Sequence, residues 1–142
     1  MLLWRVSEFL ELDGEGGRLF DGRWNRGGTA IVYTAESSAL ALLEVLVRLE
    51  SRHVPAPFQL LRLEAPDGLA IQAFDGPPRL PLEESREWGE QWLAAGRTAL
   101  ARVPSVIAPH AFNLLLNPAH RDAAQVRLTE YGRYPWDERL FA

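Results

Sequence analysis

The chain has 142 residues and a formal net charge of -4, with 15 basic residues that are all Arg, no Lys and no Cys. That length supports one domain, residues 1–142, burying roughly two-thirds of its unfolded surface. The composition excludes disulfides, thiolate-held metal, Cys nucleophiles, lysine Schiff bases and a P-loop lysine, and without a basic run it argues against direct nucleic-acid binding.

Leu2 to Val6 reads as a short apolar strand. Gly14, Gly16, Gly17, Gly22, Gly27 and Gly28 then make a glycine-rich loop. Ala30 to Thr34 is β-branched and aromatic, a strand. Ser37 or Ser38 is the expected N-cap of a helix from Ala39 to Arg52. Pro55 and Pro57 follow it, and Phe58 to Glu64 reads as a strand. Pro66-Asp67-Gly68 signals a turn and Leu69 to Phe74 another strand, which predicts a hairpin. Trp88, Trp92 and Leu93 share one face of a helix from Glu83 to Ala95. Ala101 to Ala108 reads as a strand, Asn117 to His120 as a turn, and Gln125 to Tyr131 as the last strand. Strands outnumber helices and do not alternate regularly with them, so the expected class is α+β with a mixed or antiparallel sheet and flanking helices.

No apolar stretch is long enough to span a membrane. Arg5, Glu8 and Glu11 interrupt what would be the apolar core of a signal peptide, so a cytoplasmic location is expected. His53, His110 and His120 have no metal-ligand spacing, and no metal is expected.

Several residues are candidates for chemistry. Glu44 lies on a helical stripe with Ser37, Ala41, Arg48 and Ser51. It reads either as a surface partner of Arg48, worth only ~0.3–0.5 kcal/mol, or as a poorly solvated carboxylate aimed at developing positive charge. Arg23 sits among glycines, where a backbone can approach a ligand and a guanidinium can grip phosphate, or where a surface loop simply carries an Arg. Trp24 reads as a loop anchor. Tyr33 is either a half-buried core ring or a stacking platform. Arg5, a lone charge in an apolar strand, implies a buried pair or a ligand contact. Ser105 in Val-Pro-Ser-Val-Ile lacks the surroundings of a nucleophile elbow. Asn113 and Asn117 read as turn or backbone-bonding residues.

Three blocks in order, GRWNRGGTAIVYTAESSALALLEVLV (22–47), RVPSVIAPHAFNLLLNP (102–118) and YPWDERLF (134–141), resemble the RES-domain family. Its members are toxins paired with antitoxins that carry an Xre-like helix-turn-helix domain. The resemblance runs from Trp4-Arg5 to Arg139-Leu140-Phe141 and implies a fold similar to ADP-ribosyltransferases, with a split sheet around an NAD cleft. It places Arg23, Tyr33 and Glu44 on the family's catalytic positions, and Arg5, Ser105 and Asn117 on its other pocket positions. Arg23 and Tyr33 would also bind NAD, which is substrate; no cofactor is implied. Arg26 and His110-Ala111 depart from the usual pattern without touching the Arg–Tyr–Glu set.

The implied chemistry is cleavage of the nicotinamide–ribose bond by hydrolysis or phosphorolysis. Nicotinamide leaves as a neutral molecule and needs no general acid, while the ribose becomes oxocarbenium-like. Under that resemblance Glu44 would face the sugar, Arg23 and Arg5 the pyrophosphate, Tyr33 the nicotinamide ring, and Ser105 and Asn117 a ribose or amide group. One alternative is a toxin that transfers ADP-ribose to a protein. Another is a non-catalytic module that binds a nucleotide or partner. A nuclease would need a His or Lys base among basic residues, and the charge balance is wrong for it.

Overall fold

The computed structural model describes residues 1–50 and 53–142. The elements are β1 (Leu2–Val6), α1 (Glu15–Leu19), β2 (Val32–Ala35), α2 (Ser38–Leu46), β3 (Phe58–Glu64), β4 (Ile71–Ala73), α3 (Leu82–Ala95), β5 (Leu100–Pro104), β6 (Phe112–Leu116) and β7 (Arg127–Tyr134). The strands form one sheet in the order β4-β5-β6-β2-β1-β3-β7. Only β4 and β5 pair in parallel, so the sheet is mixed and the class is α+β, as expected.

Strand alternation sorts the core onto two faces. Leu3, Val32, Leu61, Leu63, Leu100, Leu114 and Leu116 pack on one. On the other, Trp24, Ile31, Trp92, Leu93, Val103 and Leu115 cluster together, and Leu40 and Ala41 of α2 pack with Ala35, Trp4 and Val6. A nine-residue helix is marginal alone. The Ser37 hydroxyl accepts from the Leu40 N–H at 3.1 Å, and burial of Leu40 adds roughly 2 kcal/mol, so cap and packing together fix α2.

The sheet is nearly divided at its centre. β1 pairs along its whole length with β3, Leu2 opposite Glu64 through Val6 opposite Leu60. It meets β2 at one register pair alone, Trp4 opposite Ala35. Beyond that pair the Arg5 guanidinium bridges the two strands, with Nη1 donating to the Tyr33 carbonyl at 2.9 Å. The guanidinium supplies the donor that a continued β1–β2 ladder would have given.

Four expectations need correction. The turn after Pro66 forms, with Leu69 N–H donating to Pro66 O, but no hairpin follows. Both edges of β3 are taken, by β1 and β7, so β4 joins β5 instead. The helix expected over Ala39–Arg52 ends at Leu46, where bonding tightens to Arg48 N–H on Val45 O and Leu49 N–H on Leu46 O; Ser51 and Arg52 lie outside the described residues. The strand expected over Ala101–Ala108 stops at Pro104, because the Ser105 hydroxyl accepts from the N–H groups of Ile107 and Ala108 and turns the chain. Finally, Phe112–Leu116 is a strand where the sequence signals no element. It is flanked by β2 and β5, and its apolar run shows little alternation.

Candidate active site

A cleft of about 100 Å³, open to solvent, lies where β1 and β2 separate. Arg5, Tyr33, Glu44, Arg48 and Asn113 provide its chemistry; Trp4, Val6, Ala35, Ala41 and Val45 are among its apolar walls. β1 supplies Arg5, β2 supplies Tyr33, α2 supplies Glu44 and β6 supplies Asn113. No metal-holding group of three His, Asp or Glu side chains occurs among the described residues.

Glu44 is held from two sides through one oxygen. Its Oε1 accepts from Ser105 Oγ at 3.1 Å and from Asn113 Nδ2 at 2.8 Å. Oε2 has no hydrogen-bond donor among the described residues. Glu44 forms no ion pair with Arg48. A carboxylate oriented through one oxygen and unoccupied at the other is preorganised to stabilise a nearby cation.

Ser105 is buried, and its hydroxyl is fully committed. The single proton goes to Glu44, while the oxygen accepts the two backbone N–H groups of its own turn. Ser105 therefore acts on the site through Glu44.

Tyr33 lines the cleft, and its hydroxyl is fixed on the glycine loop. The O–H donates to Asn25 Oδ1 at 2.5 Å and accepts from the Trp24 N–H at 3.0 Å. Burial pushes the phenol up to about 12, so it remains neutral and is no base at ordinary pH. Asn25 is wholly buried, and its Nδ2 lies within bonding reach of the carbonyls of Gly17, Phe20 and Arg26. The glycine loop is thus organised around the residue that receives the Tyr33 proton. Gly22 must be glycine here, because a Cβ would overlap the Tyr33 hydroxyl and Asn25 Oδ1.

The same loop is anchored to α3. Arg26 N–H donates to Glu90 at 2.7 Å and its guanidinium pairs with Glu83 at 3.0 Å; Arg86 Nε donates to Gly22 O at 2.9 Å. Trp24 is buried against Phe74 and Trp88 in edge contacts, as expected of an anchor.

The remaining arginines differ in position. Arg23 is outside the residues that line the cleft, and its Nη2 donates to Leu80 O at 2.6 Å. Arg5 lines the cleft, forms no ion pair among the described residues, and is pushed below the usual arginine range by burial, with the charge of Asp13 opposing. The Nε of Arg5 and that of Arg23 are both buried without an acceptor, so each guanidinium has unused bonding capacity.

Asn117 is placed elsewhere. It is buried beside a separate depression with Leu93, Gly96 and His120, donates to Leu93 O at 3.4 Å and accepts from the Ala119 N–H at 3.1 Å. Its bonds are those of a turn residue. Asn113, for which the sequence predicts a turn or backbone-bonding role, is the cleft asparagine. Period-two alternation would have put it on the face of Leu115, but only recognition of β6 makes that alternation readable. Arg48, for which the sequence predicts at most a surface pair with Glu44, lines the cleft from the turn after α2.

The RES domain family model matches residues 2–137. The "Prs ADP-ribosylating toxin" of Sphingobium sp. (strain YBL2) is 41% identical over 96% of this chain and 90% of its own length. The "Toxin Res" of Pseudomonas putida is 37% identical over 99% of this chain and the whole of its own. The toxin–antitoxin complex MbcT–MbcA of M. tuberculosis contains a chain similar in fold, with a TM-score of 0.78 at 18% identity over 99% of this chain and 86% of that one.

Proposed function

The chain belongs to the RES-domain family, and from that membership we propose that it is the toxin of a bacterial toxin–antitoxin pair and breaks the nicotinamide–ribose bond of NAD. The observation that carries the reading is Glu44, a carboxylate oriented through one oxygen in a cleft that also holds the Tyr33 ring and two cations.

In the proposed reaction the C–N bond between ribose and nicotinamide breaks and its electron pair leaves with the neutral base. The sugar becomes an oxocarbenium-like cation, and the Glu44 charge stabilises it. Water or phosphate then bonds to the anomeric carbon and releases a proton to solvent or to Glu44. The Tyr33 ring, restrained by its fixed hydroxyl, serves as a wall for the nicotinamide. Arg5 and Arg23, each with an unused Nε, are the pyrophosphate candidates that the family resemblance names.

A second reading keeps the same bond cleavage but passes ADP-ribose to a protein side chain. The name of the relative 41% identical to this chain favours it. In both readings an antitoxin, expected to carry an Xre-like helix-turn-helix domain, silences the enzyme by covering the cleft in the bacterial cytoplasm.

Incubating the purified protein with NAD, with and without phosphate, and identifying the products tests these readings. Free nicotinamide with ADP-ribose, or with its 1-phosphate, is expected. Acid-precipitable label from adenine-labelled NAD in a lysate would select the transferase, and no nicotinamide release in either setting would overturn both.

A further inference from the structure

Two cations line the cleft, and they are differently occupied. Arg5 bridges the divided sheet through the Tyr33 carbonyl. Arg48, in the turn that follows α2, is exposed, and its guanidinium makes no hydrogen bond or ion pair among the described residues. The other arginines near the glycine loop are engaged: Arg26 and Arg86 pair with Glu83, and Arg23 donates to Leu80 O. Arg48 is therefore the cleft's uncommitted cation.

The cleft carboxylate does not use it. Glu44 lies four residues earlier, yet its Oε1 is turned to Ser105 and Asn113. An exposed pair at that spacing would contribute only ~0.3–0.5 kcal/mol, so a bound phosphate easily outcompetes it. Glu44, in the last turn of α2, and Arg48, two residues beyond its end, line the same cleft. In a nicotinamide nucleotide, the anomeric carbon and the 5′-phosphate are separated by the width of one sugar ring. A sugar held at Glu44 therefore carries its 5′-phosphate along a cleft whose lining includes Arg48.

We propose that Arg48 binds the phosphate attached to the nicotinamide-bearing ribose, so that the cleft selects 5′-phosphorylated nicotinamide ribosides over the unphosphorylated riboside. The assignment rests on the NAD reading above and adds a specificity residue to it. Arg48 touches substrate through its fork of N–H donors and takes no part in bond cleavage.

Competition against NAD cleavage tests it, with nicotinamide mononucleotide and nicotinamide riboside as the probes. In the parent protein the mononucleotide should inhibit at a concentration about tenfold or more below the riboside. In Arg48→Gln that preference should fall to within about twofold, with the riboside constant unchanged, and KM for NAD should rise about tenfold at nearly constant kcat. Arg48→Lys should recover part of the preference. Equal losses for both probes, an unchanged preference, or no competition by either probe would overturn the assignment while NAD cleavage stands. Absence of nicotinamide release from NAD by the parent would instead overturn the underlying reading, and this inference with it.

Discussion

Asn113 Nδ2 donates to Glu44 Oε1 across 2.8 Å and thereby ties a central strand to the helix that carries the cleft carboxylate. Ser105 reaches the same oxygen from the turn after β5. Two segments distant in sequence thus set the direction of one charge, and the opposite oxygen is left for a ligand.

Glu44→Gln should fold normally and lose NAD cleavage. The glutamine carbonyl can still accept from Ser105 and Asn113, so the packing survives while the negative charge goes. Loss of one preorganised electrostatic group costs ~3–4 kcal/mol, or about a hundred- to thousandfold in kcat. Nicotinamide release, measured beside thermal unfolding, checks both halves; near-parent turnover would mean that the Glu44 charge has no part in the reaction.

Asn113→Asp should convert the strongest contact to Glu44 into a like-charge pair. One carboxyl of the pair is then raised above its unfolded value, so the folded state holds an extra proton. The deficit against the parent should be roughly 1–3 kcal/mol at pH 8 and should shrink as the pH falls toward about 4. Urea midpoints of both proteins across that range measure it, and a deficit independent of pH would contradict the direct contact.

Tyr33 links stability to alkaline pH. Its folded pKa is about 12 because burial disfavours the phenolate, against an ordinary value of 10.0. Above pH 10 the unfolded chain releases this proton first, so stability falls between about pH 10 and 12, by roughly 2–3 kcal/mol in all. Tyr33→Phe should be less stable at neutral pH, since it strands Asn25 Oδ1 and the Trp24 N–H, yet lack this alkaline loss. Parallel unfolding curves for the two proteins at pH 9 and pH 11 would show the expectation to be wrong.

Gly89→Ala should prevent normal folding. Gly89 packs directly on the Trp24 backbone, and an added Cβ would overlap the Trp24 carbonyl oxygen. The backbone cannot yield without moving α3 off the glycine loop, a cost of about 3 kcal/mol or more. The thermal midpoint is the measurement, and an unchanged midpoint would refute so close an approach.

The sequence alone determined the elements whose signals are local. The run from Phe58 to Glu64 after two prolines marked β3, a serine at 37 or 38 marked the start of α2, and the apolar stripe of Trp88, Trp92 and Leu93 marked α3. Each depends on neighbours within a few residues, and the ordered motifs carried the family resemblance. Pairing was decided only by the tertiary structure. β4 could not be placed beside β5 from sequence, because that placement follows from β1 and β7 having taken both edges of β3. Asn113 and Asn117 look alike in sequence, two asparagines flanking three leucines. A strand register sends Asn113 to Glu44, and a turn consumes Asn117. The separation of β1 from β2, with Arg5 bridging them, likewise depends on residues 28 apart and on which backbone donors remain unpaired after the sheet forms. Local propensity does not encode such long-range competition for hydrogen-bond partners, so the cleft became visible only with the fold.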